Sequence, residues 1–519
     1  MLGVMLDCSR NAVMKAERVK QFADIIRKMG YDTLMLYTEE TYEIKSQPLF
    51  GYMRGRYTKE ELKDIDLYCK SIGIELIPCI QTLAHLGCMF RWQTYNDIND
   101  CDDILLVDDE KTYSLIEEMF KSVCECFSSK KIHIGMDEAF RVGLGKYREK
   151  HGFGNRFDII NRHLHKVCDI SKKFGLEPMI WSDMFCSLAY DSKESDKENI
   201  KEKASLPDNI SLVCWDYYSD DFQHYCDKIN LNKAFDREVI FAGGAWTWKG
   251  FVPDNTFSLK NTKPAIEACL KCGIDNVIMT VWGDDGSECS YFTILPTLMY
   301  TSLKLQGIED MNIVKERFKE IVGCDFDDFM LLDKLDTPKG NHDNNPSKYL
   351  LYNDLFCGLN DYRCNGSEND YYKNLADRLK ATSVTDEFSY IFDMYTKLAD
   401  VLSLKADLGI KTRKAYNEKS IEALKEVSQE YSAVLNKLEA FHKSFEKCWF
   451  LENKPFGFDV QDMRLGGLMQ RIKSCQNRLF KFINGEIQNI PELEEQLINE
   501  PCPMFWSKII TPNVTSHVM

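Results

Sequence analysis

The chain has 519 residues, with 65 Lys and Arg against 81 Asp and Glu, a formal net charge of −16. That balance excludes a generally basic nucleic-acid footprint and argues against attraction to anionic membrane surfaces. With 44% hydrophobic and 12% aromatic residues the chain can build packed cores, so disorder is excluded as its dominant state. No run of about 18 consecutive apolar residues occurs, so no transmembrane helix is expected. The opening MLGVMLDCSRNAVMKAERVK lacks the apolar stretch of a signal peptide. Its 20 cysteines are scattered, many inside apolar segments (Cys79, Cys168, Cys214), and suit reduced, mostly buried thiols in a cytoplasmic protein. Cys269 and Cys272 have C-x-x-C spacing without a second pair. They read as two helix cysteines near a stop at Gly273, at the end of an amphipathic stretch from Pro264 to Cys272.

The first 310 residues alternate short β-branched or apolar runs with longer amphipathic stretches. The runs predict strands at Gly3–Asp7, Thr33–Tyr37, Glu75–Ile80, Ile132–Met136, Pro178–Trp181, Ser211–Trp215, Val239–Ala242 and Val277–Trp282. Between them lie helix patterns such as Ala16–Met29, Lys59–Ser71, Thr112–Phe127 and Ile159–Phe174. Several stop at a glycine before the next strand: Gly30, Gly73, Gly175 and Gly273. Eight βα units in this length predict a (β/α)8 barrel over 1–310. From 311 to 519 the strand signals fade. Helical patterns at 370–403, 418–449 and 458–484 predict an α-helical C-terminal domain, with a turn-rich loop from Asp336 to Pro346. The charged segment 191–204 reads as a solvated insertion after the fifth strand.

In such a barrel chemistry lies where strands end. The first strand runs into Asp7-Cys8-Ser9-Arg10, the third into Gln81-Thr82-Leu83-Ala84-His85, and the fourth into Gly135-Met136-Asp137-Glu138. The fifth ends in Trp181-Ser182-Asp183, the sixth in Trp215-Asp216-Tyr217-Tyr218. The seventh leads to Trp246 and Trp248, and the eighth to Trp282, Asp284, Asp285 and Glu288. Five of the eight tryptophans thus fall at one rim. Aromatic faces among carboxylates and an arginine suit a sugar, whose C–H faces lie on rings and whose hydroxyls meet charged groups. The alternative is an aromatic plug on the barrel. Alternation in the fourth strand places His133, Gly135 and Asp137 toward the barrel interior, where Gly135 leaves room for a ligand.

Asp137 and Glu138 pose a mechanistic question. Conventional retaining glycosidases place an acid and a nucleophile on opposite sides of the sugar, about 5 Å apart. Sequence neighbours on one strand end act from one side. One can protonate the leaving group while the other holds a neighbouring substituent. The nucleophile must then come from another strand or from the substrate itself, as when a 2-acetamido oxygen attacks the anomeric carbon.

The string IHIGMDEAF resembles the His-x-Gly-x-Asp-Glu signature of glycoside hydrolase family 20, the β-N-acetylhexosaminidases. LDCSR and IQTLAHLG resemble the family's first-strand arginine and third-strand histidine segments, and the similarity covers roughly 1–310. The resemblance implies Glu138 as general acid and then base, and Asp137 as the carboxylate that orients the acetamido group. It further implies Arg10 on the sugar hydroxyls, and Trp181, Trp215 and Trp282 as a box around the acetamido methyl and sugar face. Asp284 takes the place of a glutamate that holds hydroxyls 4 and 6, with Asp285 or Glu288 as substitutes. The family's acetamido-positioning tyrosine has no match at the seventh strand, where Trp246 and Trp248 stand. Tyr217 is the substitute, since it shares a face with Trp215. His85 is a candidate substrate contact, and Asp183, Asp216 and Tyr218 are read as lying behind the ligand contacts. Arg54 and Arg56 read as surface salt-bridge partners.

The expected activity is release of terminal N-acetylglucosamine or N-acetylgalactosamine from small oligosaccharides or glycoconjugates, with no metal or cofactor and no nucleic-acid or membrane partner. Two alternatives stay open. One is a two-carboxylate glycosidase with Asp284 or Asp285 as nucleophile; the other is a non-catalytic sugar-binding protein. The helical C-terminal region carries no assigned chemistry, and a barrel cover or a homodimer contact are the roles considered for it.

Overall fold

The computed structural model describes residues 1–190, 206–338 and 345–498. Eight parallel strands close into a barrel: β1 (Leu2–Asp7), β2 (Thr33–Thr38), β3 (Glu75–Ile80), β4 (Lys131–His133), β5 (Glu177–Trp181), β6 (Ser211–Trp215), β7 (Val239–Gly244) and β8 (Val277–Val281). Each pairs with its sequence neighbour, and β8 closes on β1 with Leu2 opposite Val277. The period of two sends Met5, Met35, Tyr37, Ile77, Cys79, Met179, Trp181 and Val213 into one interior cluster. The helices present a 3.6-period face to the barrel. In Ala16–Lys28 the buried residues are Val19, Phe22, Ala23, Ile25 and Ile26. Lys59–Ser71 opens on a capping box in which Thr58 and Glu61 satisfy each other's backbone amides. The four helix-ending glycines read from the sequence all take positive φ.

Three expectations need correction. The fourth strand stops at His133, not Met136, because Gly135 (φ 72°) and Met136 (φ 73°) turn left-handed. The amphipathic stretch read from Pro264 to Cys272 is part of a longer helix that begins at Asn255 and runs through that proline. Proline usually stands in the first turn of a helix, and here that preference is overridden. The pattern at 370–403 is two helices, Glu368–Lys380 and Ser389–Lys405. The turn-forming segment 382–388 separates them. The insertion expected at 191–204 lies outside the described residues, as do 339–344 of the expected loop; Pro346 opens a helix to Tyr352.

The chain divides into two compact units. The first holds Met1–Trp246, Phe257–Trp282 and Thr297–Val314. The second holds Thr247–Thr256, Gly283–Pro296 and the chain from Lys315. The division is not a single cut near 310, since the segments following β7 and β8 group with the helical residues. Within the second unit, Ser389–Lys405 packs on Glu368–Lys380 and on Ile421–Glu452, which also packs on Phe458–Ile483.

Buried charge ties the second unit together. Glu288 is fully buried, with one carboxylate oxygen 2.6 Å from Arg464 Nη1 and the other on Lys348 Nζ. Asp333 accepts hydrogen bonds from the backbone amides of Asn255 and Thr256 at 3.1 and 2.7 Å. Glu452 accepts from the hydroxyls of Ser290 and Tyr390 at 2.6 and 2.7 Å. Buried carboxylates persist only when so compensated. No described cysteine is in a disulfide. Among the described residues no helix is long and apolar enough to cross a membrane.

Candidate active site

Six side chains at the C-terminal ends of β1 to β4 close a ring of polar contacts. Arg10 is placed by its loop, in which Asp7 Oδ1 accepts from the Ser9 and Arg10 amides at 2.9 and 3.2 Å. Arg10 Nε donates to Glu39 Oε1 at 2.8 Å, which also accepts from the Tyr37 hydroxyl at 3.2 Å. Gln81 Nε2 donates to the Tyr37 hydroxyl at 2.9 Å and to Asp137 Oδ1 at 2.7 Å. The other Asp137 oxygen lies 3.2 Å from His85 Nε2, and His85 Nδ1 lies 3.4 Å from Arg10 Nη2. Because a guanidinium only donates, a neutral His85 accepts from Arg10 at Nδ1. The Nε2 proton then faces Asp137, as it does when the ring is charged.

Gln81 explains the local backbone. Its Oε1 accepts from the Met136 amide at 3.1 Å, so both its donors and its acceptor are engaged. A Cβ built on Gly135 would come within 2.1 Å of that oxygen. The space beside Gly135 is therefore filled by Gln81, not left for a ligand. The left-handed turn that results carries Asp137 and Glu138 past the strand end.

The two carboxyls have opposite surroundings. Burial alone would raise Asp137, but the His85 charge and the hydrogen bonds from His85 and Gln81 bring it down to about 2. Burial acts to lower His85, yet the Asp137 charge and hydrogen bond push it up to about 9. The Glu138 side chain is 47% exposed, with Oε2 3.6 Å from His85 Nε2. Its own backbone is left-handed (φ 50°), and its amide donates to Asp183 Oδ2 at 3.1 Å. Burial, then the Asp137 charge, pushes Asp183 up to about 7. Ligand atoms of His85, Asp137 and Glu138 lie within 4.8 Å of one another. The Arg10 guanidinium beside His85 opposes a cation there.

The aromatic residues divide into two sets. Trp181 is 1% exposed and sits inside the barrel, its ring 4.3 Å from His133 and 6.1 Å from Trp282. It is interior packing rather than an open rim residue. Burial pushes His133 down to about 3, so it is a neutral core histidine whose Nδ1 accepts from the Gly135 amide. Trp246 is also buried, against Phe257 at 5.1 Å. Trp215, half-buried, meets Tyr217 at 5.6 Å, and Tyr217 meets the exposed Tyr218 at 4.8 Å. Trp282 is half-buried, edge-on to Tyr37 at 4.9 Å. Arg54, expected on the surface, forms a buried pair with Glu40 at 2.8 Å.

The acids that follow β8 lie in the second unit. Asp284 is exposed. Both Glu288 oxygens are engaged by cations, which removes it as a ready partner for sugar hydroxyls. Sequence reasoning missed Tyr37, Glu39 and Gln81. Tyr37 and Glu39 would have followed from reading the end of β2 by the rule applied to the other strands.

Residues 2–228 match the family model described as Glycosyl hydrolase family 20, catalytic domain, and residues 327–502 match the Glycoside Hydrolase 20C C-terminal domain. The chain belongs to glycoside hydrolase family 20. It is similar to Hexosaminidase D of Homo sapiens, 20% identical over 223 residues that cover 41% of this chain and 44% of the relative. It is also similar to Beta-hexosaminidase A of Caenorhabditis elegans, 23% identical over 317 residues, 49% of this chain and 56% of the relative. The chain thus spans about half the length of these two curated relatives. Among solved structures, a Flavobacterium johnsoniae chitobiase superposes with TM-score 0.48 at 16% identity, covering 95% of this chain and 73% of that one. The exo β-N-acetylglucosaminidase of Vibrio harveyi gives 0.46 at 15%, covering 64% and 58%.

The Gly135 contact in this family 20 chain makes a prediction. Gly135→Ala forces a left-handed φ on alanine, costing about 1–2 kcal/mol, and drives Cβ into Gln81, which holds Asp137. Turnover should fall about a hundredfold, the scale of an ångström-sized misplacement. Gly152 also has positive φ (78°) but nothing within 4 Å of its Cβ. Gly152→Ala should show the strain in denaturant unfolding and leave turnover unchanged.

Proposed function

We propose that this protein is an exo-β-N-acetylhexosaminidase that cleaves terminal N-acetylglucosamine or N-acetylgalactosamine by retaining, substrate-assisted hydrolysis. One observation carries the reading: two adjacent carboxyls on one strand end, one clamped as an anion and the other open to solvent. Glu138, as the acid, gives its proton to the glycosidic oxygen while the bond from that oxygen to C1 breaks. The acetamido carbonyl oxygen of the same sugar forms a bond to C1, closing an oxazolinium ring. Asp137 accepts the acetamido N–H and faces the positive charge that develops. A carboxylate offers about four lone-pair sites, so the two contacts from Gln81 and His85 leave room for it. Water then attacks C1, giving its proton to the Glu138 carboxylate, and the ring reopens to an acetamido group. Two inversions at C1 retain the β configuration.

In this reading Arg10 and His85 face the sugar hydroxyls, with Trp215, Tyr217 and Trp282 against its apolar faces. The scattered cysteines, many of them buried, suit reduced thiols and support a cytoplasmic setting.

The test compares 4-nitrophenyl β-N-acetylglucosaminide and β-N-acetylgalactosaminide with the plain β-glucoside. Hydrolysis of either acetamido substrate with no turnover of the glucoside is expected. A thiazoline analogue, which resembles the cyclised intermediate, should bind at least about a hundredfold tighter than N-acetylglucosamine. Efficient glucoside hydrolysis without thiazoline inhibition would support a two-carboxylate enzyme instead.

A further inference from the structure

Glu138 occupies a backbone conformation that non-glycine residues seldom adopt, with φ 50°. Its side chain is half exposed, so packing alone does not aim it. Two hydrogen bonds hold the backbone. Its carbonyl accepts from the Phe140 amide at 2.7 Å, a contact internal to the turn. Its amide donates to Asp183 Oδ2 at 3.1 Å, which ties the turn to another strand end. The backbone that carries Asp183 is anchored by its neighbour. This residue opens the helix Asp183–Tyr190, and the preceding Ser182 donates through its amide and hydroxyl to the Val213 carbonyl of β6 at 3.1 and 3.2 Å. Asp183 also lines a pocket of about 60 Å³ with Trp215, Lys228 and Asn232.

We propose that Asp183 is the positioning residue for Glu138, holding its left-handed backbone so that the carboxyl meets the leaving-group oxygen. Asp183 touches no reacting atom; it acts through the Glu138 amide. The proposal rests on the assignment of Glu138 as the acid, and its test separates the two.

The readout is leaving-group dependence of kcat/KM, which reports only the steps through departure of the aglycone. A methyl β-N-acetylglucosaminide needs its leaving oxygen protonated, whereas a 2,4-dinitrophenyl glycoside does not. Asp183→Ala should lose about a hundredfold on the methyl glycoside, within the range of general-acid effects, and less than about threefold on the dinitrophenyl one. Asp183→Asn keeps an oxygen acceptor for the amide and should stay near wild type on both. Asp183→Glu, which shifts the oxygen by one methylene, should show a smaller loss confined to the methyl glycoside and serves if the alanine variant does not fold. Equal loss on both substrates, or an asparagine variant as impaired as alanine, would overturn the proposal in favour of a merely structural role. Amide exchange of Glu138 provides an arm independent of substrate. It should accelerate about tenfold or more in Asp183→Ala and stay unchanged in Asp183→Asn; unchanged exchange in the alanine variant refutes the anchor. A wild-type enzyme that hydrolyses neither glycoside would refute the proposed activity, while the exchange result would still decide the role of Asp183.

Discussion

Glu138→Gln is expected to lower kcat/KM on methyl β-N-acetylglucosaminide by about a thousandfold, within the range for loss of a general acid. On the dinitrophenyl glycoside the same ratio should fall only a few-fold, because that leaving group departs without a proton. Turnover should still drop there, since water attack on the cyclised sugar also needs the Glu138 carboxylate as base. Azide, which needs no base, should restore that second step and give a β-glycosyl azide. The melting temperature should be essentially unchanged, because the side chain is half exposed and makes no close buried pair. Equal loss on the two glycosides would remove Glu138 from the acid role.

Asp137→Asn should behave differently. Its kcat/KM should fall by about 100- to 1000-fold on every N-acetylhexosaminide regardless of leaving group, the scale seen when one preorganised electrostatic partner is removed. The wild-type carboxylate accepts from Gln81 on one oxygen and faces His85 on the other. An asparagine amide satisfies one of these and presents a donor to the other, so the contact ring breaks whichever way it is flipped. His85 then loses the charge that pushes it up to about 9 against burial, and its titration should fall toward or below its ordinary 6.5. An NMR titration of the imidazole checks this directly.

The stability consequence follows with a definite sign. The raised His85 contributes fully below pH 6.5 and loses its contribution as pH rises through about 9. The depressed Asp137 contributes fully above pH 3.8 and loses its contribution as pH falls through about 2. The gap between wild type and Asp137→Asn should therefore be widest between about pH 4 and 6.5. A denaturant series that showed the gap widening above pH 9 would contradict the pairing.

The barrel was legible because its strands are short apolar runs separated by amphipathic helices with glycine stops, a pattern that needs no tertiary knowledge. The Asp137–Glu138 pair and Arg10 were legible because charged groups immediately after strands are out of place in a core. The end of β4 was not. Ile132 to Met136 alternates well, and only the demand of Gln81 for the space beside Gly135 stops the strand early. Gln81 escaped notice because an amide carries no titratable signature; its importance comes from satisfying three partners at once. Trp181 and Trp246 were read as ligand contacts from position along a strand, but a tryptophan at a strand end can equally turn inward, and the interior beside His133 and the space beside Phe257 took them.

The buried cluster around Glu288 has a consequence for dissecting the chain. A fragment ended at residue 310 would keep Glu288, Ser290 and Asn255 but discard Arg464, Lys348, Glu452 and Asp333. Such a fragment would carry a stranded anion and unmet amide donors in the very connections that leave β7 and β8. Any truncation or fusion that keeps the connections after β7 and β8 therefore has to keep the helices whose side chains neutralise them.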